Sequence, residues 1–104
     1  MLTFTIKRNW FEMIASGEKK EEYRAANGYY DSRLMKYKNE PIWVALRNGY
    51  RNDSDTLYCR VVPVRETAAR PEWGGVPGKM HWSLKILDVR SYKICLLYTS
   101  PSPR

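Results

Sequence analysis

Four residues near the N-terminus carry functional groups at a spacing that could do chemistry. Gly17, Lys19, Glu22 and Arg24 form the pattern G-x-K-x-x-E-x-R. A lysine that is partly shielded from water has a lowered pKa, so it can act as a general base or hold an anionic or carbonyl group. A Glu and an Arg two positions apart share one face of a strand, where the guanidinium can orient the carboxylate. The alternative is an exposed lysine and a surface ion pair that contributes little.

The backbone must bend for these residues to form one site. In a regular strand Lys19 and Glu22 project to opposite faces of the sheet. Both side chains reach one cleft only if residues 18–20 still turn before the strand begins. Lys20 and Glu21 lie between them, and we interpret this second pair of charges as solvated.

Hydrophobic periodicity predicts the elements that position these residues. The alternation from Leu2 to Ile6 indicates a first strand, and a two-turn helix follows, with Asn9 as its N-cap and Gly17 at its end. The remaining segments are predicted to be a polar strand at 19–24, a helical segment at 29–37, a buried strand at 42–46, a strand at 56–64 with a bulge or edge at Pro63, a loop at 67–80 and a strand at 82–86.

These elements predict the fold class. Short strands dominate, and one helix lies between the first two strands. We therefore predict an α+β, mainly β fold: a small, partly closed β-barrel of about five strands with one or two short helices. Trp10, Trp43 and Trp82 lie on apolar faces and are assigned to its core.

The composition restricts the class of protein. The chain has 104 residues, which fits one domain, and it carries 18 Lys and Arg against 11 Asp and Glu, a net charge of +7. Such a basic excess attracts polyanions, of which nucleic acid is the commonest. Cys59 and Cys95 form no disulfide framework, and no signal peptide or membrane span is evident, so we expect a cytoplasmic monomer. With His81 as the single histidine, we predict neither a metal site nor a cofactor.

Four segments in the same order resemble one known family. They are the opening FTIKRNWFEMIASGEKKEEYR, the G-x-K-x-x-E-x-R motif inside it, the central LRNGYRNDS and the loop RPEWGGVPGK. Together they resemble the ASCH domain, the activating-signal-cointegrator homology domain related to PUA RNA-binding barrels. The resemblance covers roughly residues 2–89, and it implies a PUA-like barrel over residues 1–93.

The resemblance also implies a function. ASCH-like proteins include RNA-binding modules, nucleases, and small bacterial hydrolases that remove acyl groups from the exocyclic amine of cytidine. The hydrolases use a Lys, a Thr three positions later and a downstream Glu. Lys19 matches the Lys, but Glu22 stands where the Thr is expected, so a Lys–Glu pair that activates water is the mechanism we expect. The alternatives are a non-catalytic RNA-binding module and cleavage of single-stranded RNA.

Further residues are candidates for the same cleft. A third catalytic residue, a carboxylate, would join Lys19 and Glu22. Glu72, in the glycine-rich loop, and Glu66 are the candidates for it. Arginine beside tyrosine or tryptophan is the pairing for phosphate contact with base stacking. On that ground the candidates for contact with a nucleoside or single-stranded RNA, besides Arg24, are Arg47, Tyr50 and Trp73. Tyr29 is a further candidate, because it follows Arg24 and could border the same cleft. The alternative for Trp73 is a plug at one end of the barrel.

The C-terminal string ICLLYTSPSPR stands apart from the rest of the sequence. It is similar to translated sequencing-adapter read-through, and we expect residues 94–104 to be a non-native tail, partly disordered. We therefore exclude that segment from functional reasoning.

Overall fold

A computed structural model describes residues 1–49 and 55–92 of the chain. Its elements in chain order are β1 (Leu2–Ile6), α1 (Arg8–Ser16), β2 (Glu21–Ala25), α2 (Gly28–Leu34), a 3₁₀ turn (Met35–Tyr37), β3 (Ile42–Asn48), β4 (Thr56–Glu66), a second 3₁₀ turn (Pro71–Trp73) and β5 (His81–Tyr92). Tyr50 and the predicted tail at 94–104 lie outside the described residues.

The five strands form one mixed sheet that curls into a half-barrel. Their order is β1-β3-β4-β5-β2, with β1 parallel to β3 and the other pairs antiparallel. The mainly β, barrel-like prediction is therefore confirmed. The barrel stays open because β1 and β2, which α1 connects, are the two outer strands of the sheet and do not pair with each other.

The core lies between the sheet and the two helices. Side chains at alternate strand positions face inward and pack against Phe11 and Ile14 of α1 and Leu34 of α2. The buried strand residues of this cluster are Phe4, Ile6, Val44, Leu46, Leu57, Cys59, Val61, Trp82 and Leu84. Burial raises the pKa of the Cys59 thiol to about 12, so this cysteine is a packing residue and not a nucleophile.

A buried indole fastens α2 to the sheet. The Trp82 ring is fully buried, and its Nε1–H donates to Asp31 Oδ1 at 2.8 Å. Arg65 of β4 pairs with the same carboxylate at 3.3 Å. The Trp82 hydrogen bond, helped by Arg65, holds the pKa of Asp31 below its usual value. One carboxylate thus joins α2 to two strands.

Two local predictions from the sequence are wrong. The helix α1 begins at Arg8, one residue before the predicted cap at Asn9, and its N-cap Lys7 makes no side-chain capping bond. Trp43 is not in the core: its side chain is 39% exposed, because alternation along β3 turns Val44 and Leu46 inward and Trp43 outward.

Pro63 lies where β4 loses one of its two neighbours. The pairing of β3 with β4 ends at Val61, whereas the pairing of β4 with β5 continues to Glu66. The missing N–H of Pro63 therefore falls on an edge, as predicted, while the register shift lies earlier, between Arg60 and Val61. No helix within residues 1–49 and 55–92 has the length and apolar character needed to span a bilayer.

The two tryptophans on opposite faces of the sheet provide a stability test. Trp82→Phe removes the bond to Asp31 and leaves a cavity, so we expect the free energy of unfolding to fall by about 2 kcal/mol. Trp43→Phe is the matched control and should change it by less than about 0.5 kcal/mol. Urea unfolding measures both values, and equal losses would contradict the assignment of Trp43 to the outer face.

Candidate functional site

A cleft of about 490 Å³ lies at the open seam of the half-barrel. The end of β1, the start of α1, the inner side of β2 and the loop before β5 form its walls. The residues that line it are Thr5, Ile6, Lys7, Arg8, Trp10, Lys19, Glu22, Tyr23, Arg24, Asn48, Gly49, Trp73 and Gly74. The cleft therefore contains the three charged members of the sequence motif.

A turn after α1 brings Lys19 into this cleft. Gly17 adopts a left-handed conformation, with φ of 88°, and its N–H donates to the carbonyl of Ile14. The N–H of Lys19 then donates to the carbonyl of Met13 at 3.0 Å. Because β2 begins only at Glu21, Lys19 is still part of the turn and does not follow the alternation of the strand. The bend that the motif requires is present.

Lys19 is almost completely removed from water. Its side chain is 1% exposed, and its Nζ donates to the carbonyl of Trp73. The Nζ also lies 3.5 Å from Glu22 Oε1, 4.7 Å from the centre of the Trp10 ring and 5.1 Å from that of Tyr23. Burial lowers the pKa of Lys19 below its ordinary 10.5, and the attraction of Glu22 offsets only part of that effect.

Glu22 is held between two cations. Its Oε2 accepts from Arg24 Nε at 3.1 Å and from Arg24 Nη2 at 2.7 Å, while Oε1 faces Lys19. The Glu22 side chain is 7% exposed and that of Arg24 is 15% exposed. A carboxylate with this little access to water depends on the two cations for its stabilisation.

Arg24 spans the open seam of the barrel. From β2 its Nη2 donates to the carbonyl of Thr5 on β1 at 3.0 Å, and its Nη1 donates to the hydroxyl of Tyr30 on α2 at 3.2 Å. Since β1 and β2 share no ladder, this guanidinium links the two edges directly. Arg24 therefore orients Glu22 and closes the sheet at the same time.

The loop at residues 67–80 forms the outer wall of the cleft. The Tyr23 hydroxyl accepts from the N–H of Arg70 at 3.0 Å and donates to Glu21 at 2.8 Å. Burial raises the pKa of Tyr23 to about 12, so this hydroxyl stays protonated. A Cβ on Gly74 would lie 2.9 Å from the Trp10 ring, so the loop can approach α1 this closely only with glycine there. The anchored loop supplies the Trp73 carbonyl to Lys19.

Some of the predicted site residues lie outside the cleft. Glu72 is exposed and pairs with Arg70 at 3.3 Å, and Glu66 pairs with Lys85 at 2.8 Å. Tyr29 is 57% exposed on α2 and stacks with Arg33. Arg47 is on β3, opposite Thr56. None of the four lines the cleft, whereas Trp73, like Lys19, Glu22 and Arg24, does.

Sequence reasoning missed two aromatic residues of the site. Trp10, assigned to the core, is half-buried and covers the Lys19 ammonium together with Tyr23. Trp10 faces the cleft because its helix follows β1, which is an edge strand of the sheet, and the sequence does not show the strand order. The prediction for Glu21 is wrong as well, because Lys85 reaches it at 2.9 Å; Lys20 is exposed as predicted.

The described part of the chain contains no group of three or more His, Cys, Asp or Glu residues placed to hold a metal ion. His81 is engaged on both ring nitrogens, with the carbonyl of Lys79 at 2.8 Å and the hydroxyl of Ser83 at 2.9 Å. Comparison with protein-family models, with curated proteins and with solved structures finds no match to this chain.

Lys19 and Lys85 give opposite predictions for their titration. Burial dominates at Lys19, so we expect its ammonium to titrate below 10.5. Burial also acts on Lys85, but Glu66 and Glu21 outweigh it and raise the pKa of Lys85. The ¹³Cε shifts of labelled lysine, assigned with Lys19→Met and Lys85→Met, measure both. A midpoint for Lys19 at or above that of Lys85 would contradict the assigned environments.

The lowered pKa of Lys19 also predicts how the free energy of unfolding changes with pH. Between the lowered pKa of Lys19 and 10.5 the unfolded chain binds more protons than the folded one. The contribution of Lys19 to the free energy of unfolding therefore becomes more favourable as the pH rises through that window. The difference between wild type and Lys19→Met, measured by urea unfolding across the window, should move in that direction.

Glu22 should be essential for stability because it neutralises two buried cations. Glu22→Gln keeps the shape of the side chain but leaves Lys19 and Arg24 without a counter-charge, so we expect a loss of about 3 kcal/mol in the free energy of unfolding. Glu18→Gln, an identical change at an exposed position of the preceding turn, should cost less than about 0.5 kcal/mol. A similar loss for the two variants would mean that Glu22 does not balance the buried charges.

Proposed function

We propose that this chain is an ASCH-type domain that hydrolyses the amide of a cytidine acylated on its exocyclic amine. The observation that carries the proposal is the buried Lys19, with its lowered pKa, beside Glu22 at the base of an open cleft. Side chains whose pKa is perturbed by burial and by a specific charged partner inside a cleft cluster at functional sites. The family resemblance supplies the substrate class.

The size and lining of the cleft support a nucleoside-sized ligand. Its volume of about 490 Å³ lies within the range of ordinary small-molecule sites. Trp10 and Trp73 offer aromatic surface for a base, and Lys7 and Arg8 add positive charge at the start of α1. We infer that the base lies against the aromatic side and that its acylated amine points toward Lys19.

In the proposed reaction neutral Lys19 acts as the general base. The neutral Lys19 amine has two N–H groups, which can donate to the Trp73 carbonyl and to Glu22, and one lone pair, which can accept from a water molecule. Lys19 takes a proton from that water. The water oxygen then bonds to the acyl carbon, and the π electrons of the acyl C=O bond move onto the carbonyl oxygen. When the tetrahedral intermediate collapses, the carbon–nitrogen bond breaks and Lys19 returns the proton to the leaving amine. The products are a carboxylic acid and cytidine.

Glu22 and Arg24 act as positioning residues in this mechanism. Glu22 attracts the Lys19 ammonium that forms in the first step, and Arg24 fixes the carboxylate through two hydrogen bonds. Glu22 stands where the hydrolases that this chain resembles carry a Thr, so the proposed attack is by water directly, without a covalent intermediate. Glu72 and Glu66 are outside the proposed catalytic group, since other cations hold them away from the cleft.

Turnover of acetylcytidine tests the proposal. We expect release of cytidine, followed by chromatography, with a rate that rises as the pH increases toward the lowered pKa of Lys19. Lys19→Met should reduce kcat at least about 100-fold, because it removes the base. Lys20→Met removes an equal charge from the exposed neighbour and should leave the rate unchanged. No turnover by a folded wild-type protein, or equal rates for the two variants, would overturn the proposal.

A second candidate function is recognition of a pyrimidine nucleotide without chemistry. The carbonyl of Trp73 and the two aromatic rings all favour a lysine that stays positively charged, and such an ammonium can hold the carbonyl of a base. Calorimetry with cytidine distinguishes this function: binding would weaken as the pH rises through the pKa of Lys19, whereas hydrolysis would accelerate. Binding that depends on Lys19, without any turnover, would favour recognition.

A further inference from the structure

The outer face of the sheet carries a surface of different chemistry. Both helices pack on the inner face, where Val44, Leu46 and Cys59 are fully buried. The alternate positions of β3, β4 and β5 point away from the helices. No described element covers Trp43 there, and it exposes 39% of its surface. A large aromatic side chain that stays partly exposed on a strand is a candidate for a binding role.

Arginine side chains surround Trp43. The guanidinium carbon of Arg90 lies 5.7 Å from the centre of the Trp43 ring, and the Arg90 side chain is 70% exposed. Arg60 is directly opposite Trp43 in the β3–β4 register and is exposed. An aromatic face beside two accessible guanidinium groups combines a stacking surface with donors suited to phosphate.

The charge around Trp43 on this face is predominantly positive. The outward positions next to Trp43 hold Arg60 and Arg90 against one carboxylate, Asp88, which pairs with Arg90 at 3.3 Å. Arg47 lies on the same face of β3, two positions beyond Ala45, and Tyr58 is opposite Ala45. The net charge of +7 for the whole chain acts in the same direction at longer range.

We propose that this outer face, defined by Trp43, Arg60 and Arg90, binds single-stranded nucleic acid, with a base stacked on Trp43 and backbone phosphates paired with the two arginines. Stacking on an exposed aromatic ring is open to any unpaired base, whereas the bases of a duplex are already stacked on each other. The surface is separate from the cleft, because none of the three residues lines it. The proposal therefore does not depend on hydrolysis.

Fluorescence anisotropy with a labelled single-stranded RNA of about ten nucleotides tests this surface. Trp43→Ala should weaken binding at least about tenfold, and Trp43→Phe should weaken it less, because a ring is retained. Arg60→Gln combined with Arg90→Gln should reduce the slope of log affinity against log salt by about 1.4 in magnitude, for two phosphate contacts. Thermal unfolding of each variant shows whether it is folded.

A matched control separates this surface from general electrostatic attraction. Lys36→Gln with Lys38→Gln removes the same charge from exposed positions after α2 and should change the salt slope much less. Equal effects of the two double variants, unchanged binding by folded Trp43→Phe and Trp43→Ala, or equally tight binding of the same sequence as a duplex would overturn the proposal. Hydrolysis of free acetylcytidine by Trp43→Ala at the wild-type rate would show that the cleft is intact.

Discussion

The structure depends on one buried carboxylate placed between two cations. Glu22 receives two hydrogen bonds from Arg24 and faces Lys19 on its other oxygen, with little access of any of the three to water. Removing such charges from water costs several kcal/mol for each, and only close opposite charges and further hydrogen bonds offset that cost. Everything around the cleft supplies those bonds: β1 through the carbonyl of Thr5, α2 through Tyr30 and the loop before β5 through Trp73.

The same requirement explains why the half-barrel is stable while its seam is open. A sheet that ends in two unpaired edges would ordinarily expose backbone groups along both. Here no backbone ladder joins β1 to β2, and a hydrogen bond from the Arg24 guanidinium to the carbonyl of Thr5 connects them instead. The cleft lies beside this connection. The functional groups of the proposed site and the connection between the edges are therefore one set of interactions. A change in the charge of Glu22 would affect the fold and the chemistry together.

The two faces of the sheet separate two kinds of chemistry. The inner face excludes water, and burial alters the proton affinity of Lys19 there. The outer face keeps Trp43, Arg60 and Arg90 accessible to water, where charge and ring surface remain available for contact. Alternation along each strand assigns neighbouring residues to opposite faces, so β3, β4 and β5 bury one row of side chains in the core and present the other row to water.

The sequence by itself determined the strands, the two helices, the stop at Gly17 and the group of Lys19, Glu22 and Arg24, because periodicity, a left-handed glycine and residue spacing are local properties. It did not determine which side of the sheet is buried at Trp43, that Trp10 faces the cleft, or that Glu66 pairs with Lys85. Those outcomes depend on partners distant in the chain. Only the tertiary structure decided them, since burial and charge pairing are properties of the assembled elements: the Trp73 carbonyl lies 54 residues from Lys19 in sequence yet completes its environment.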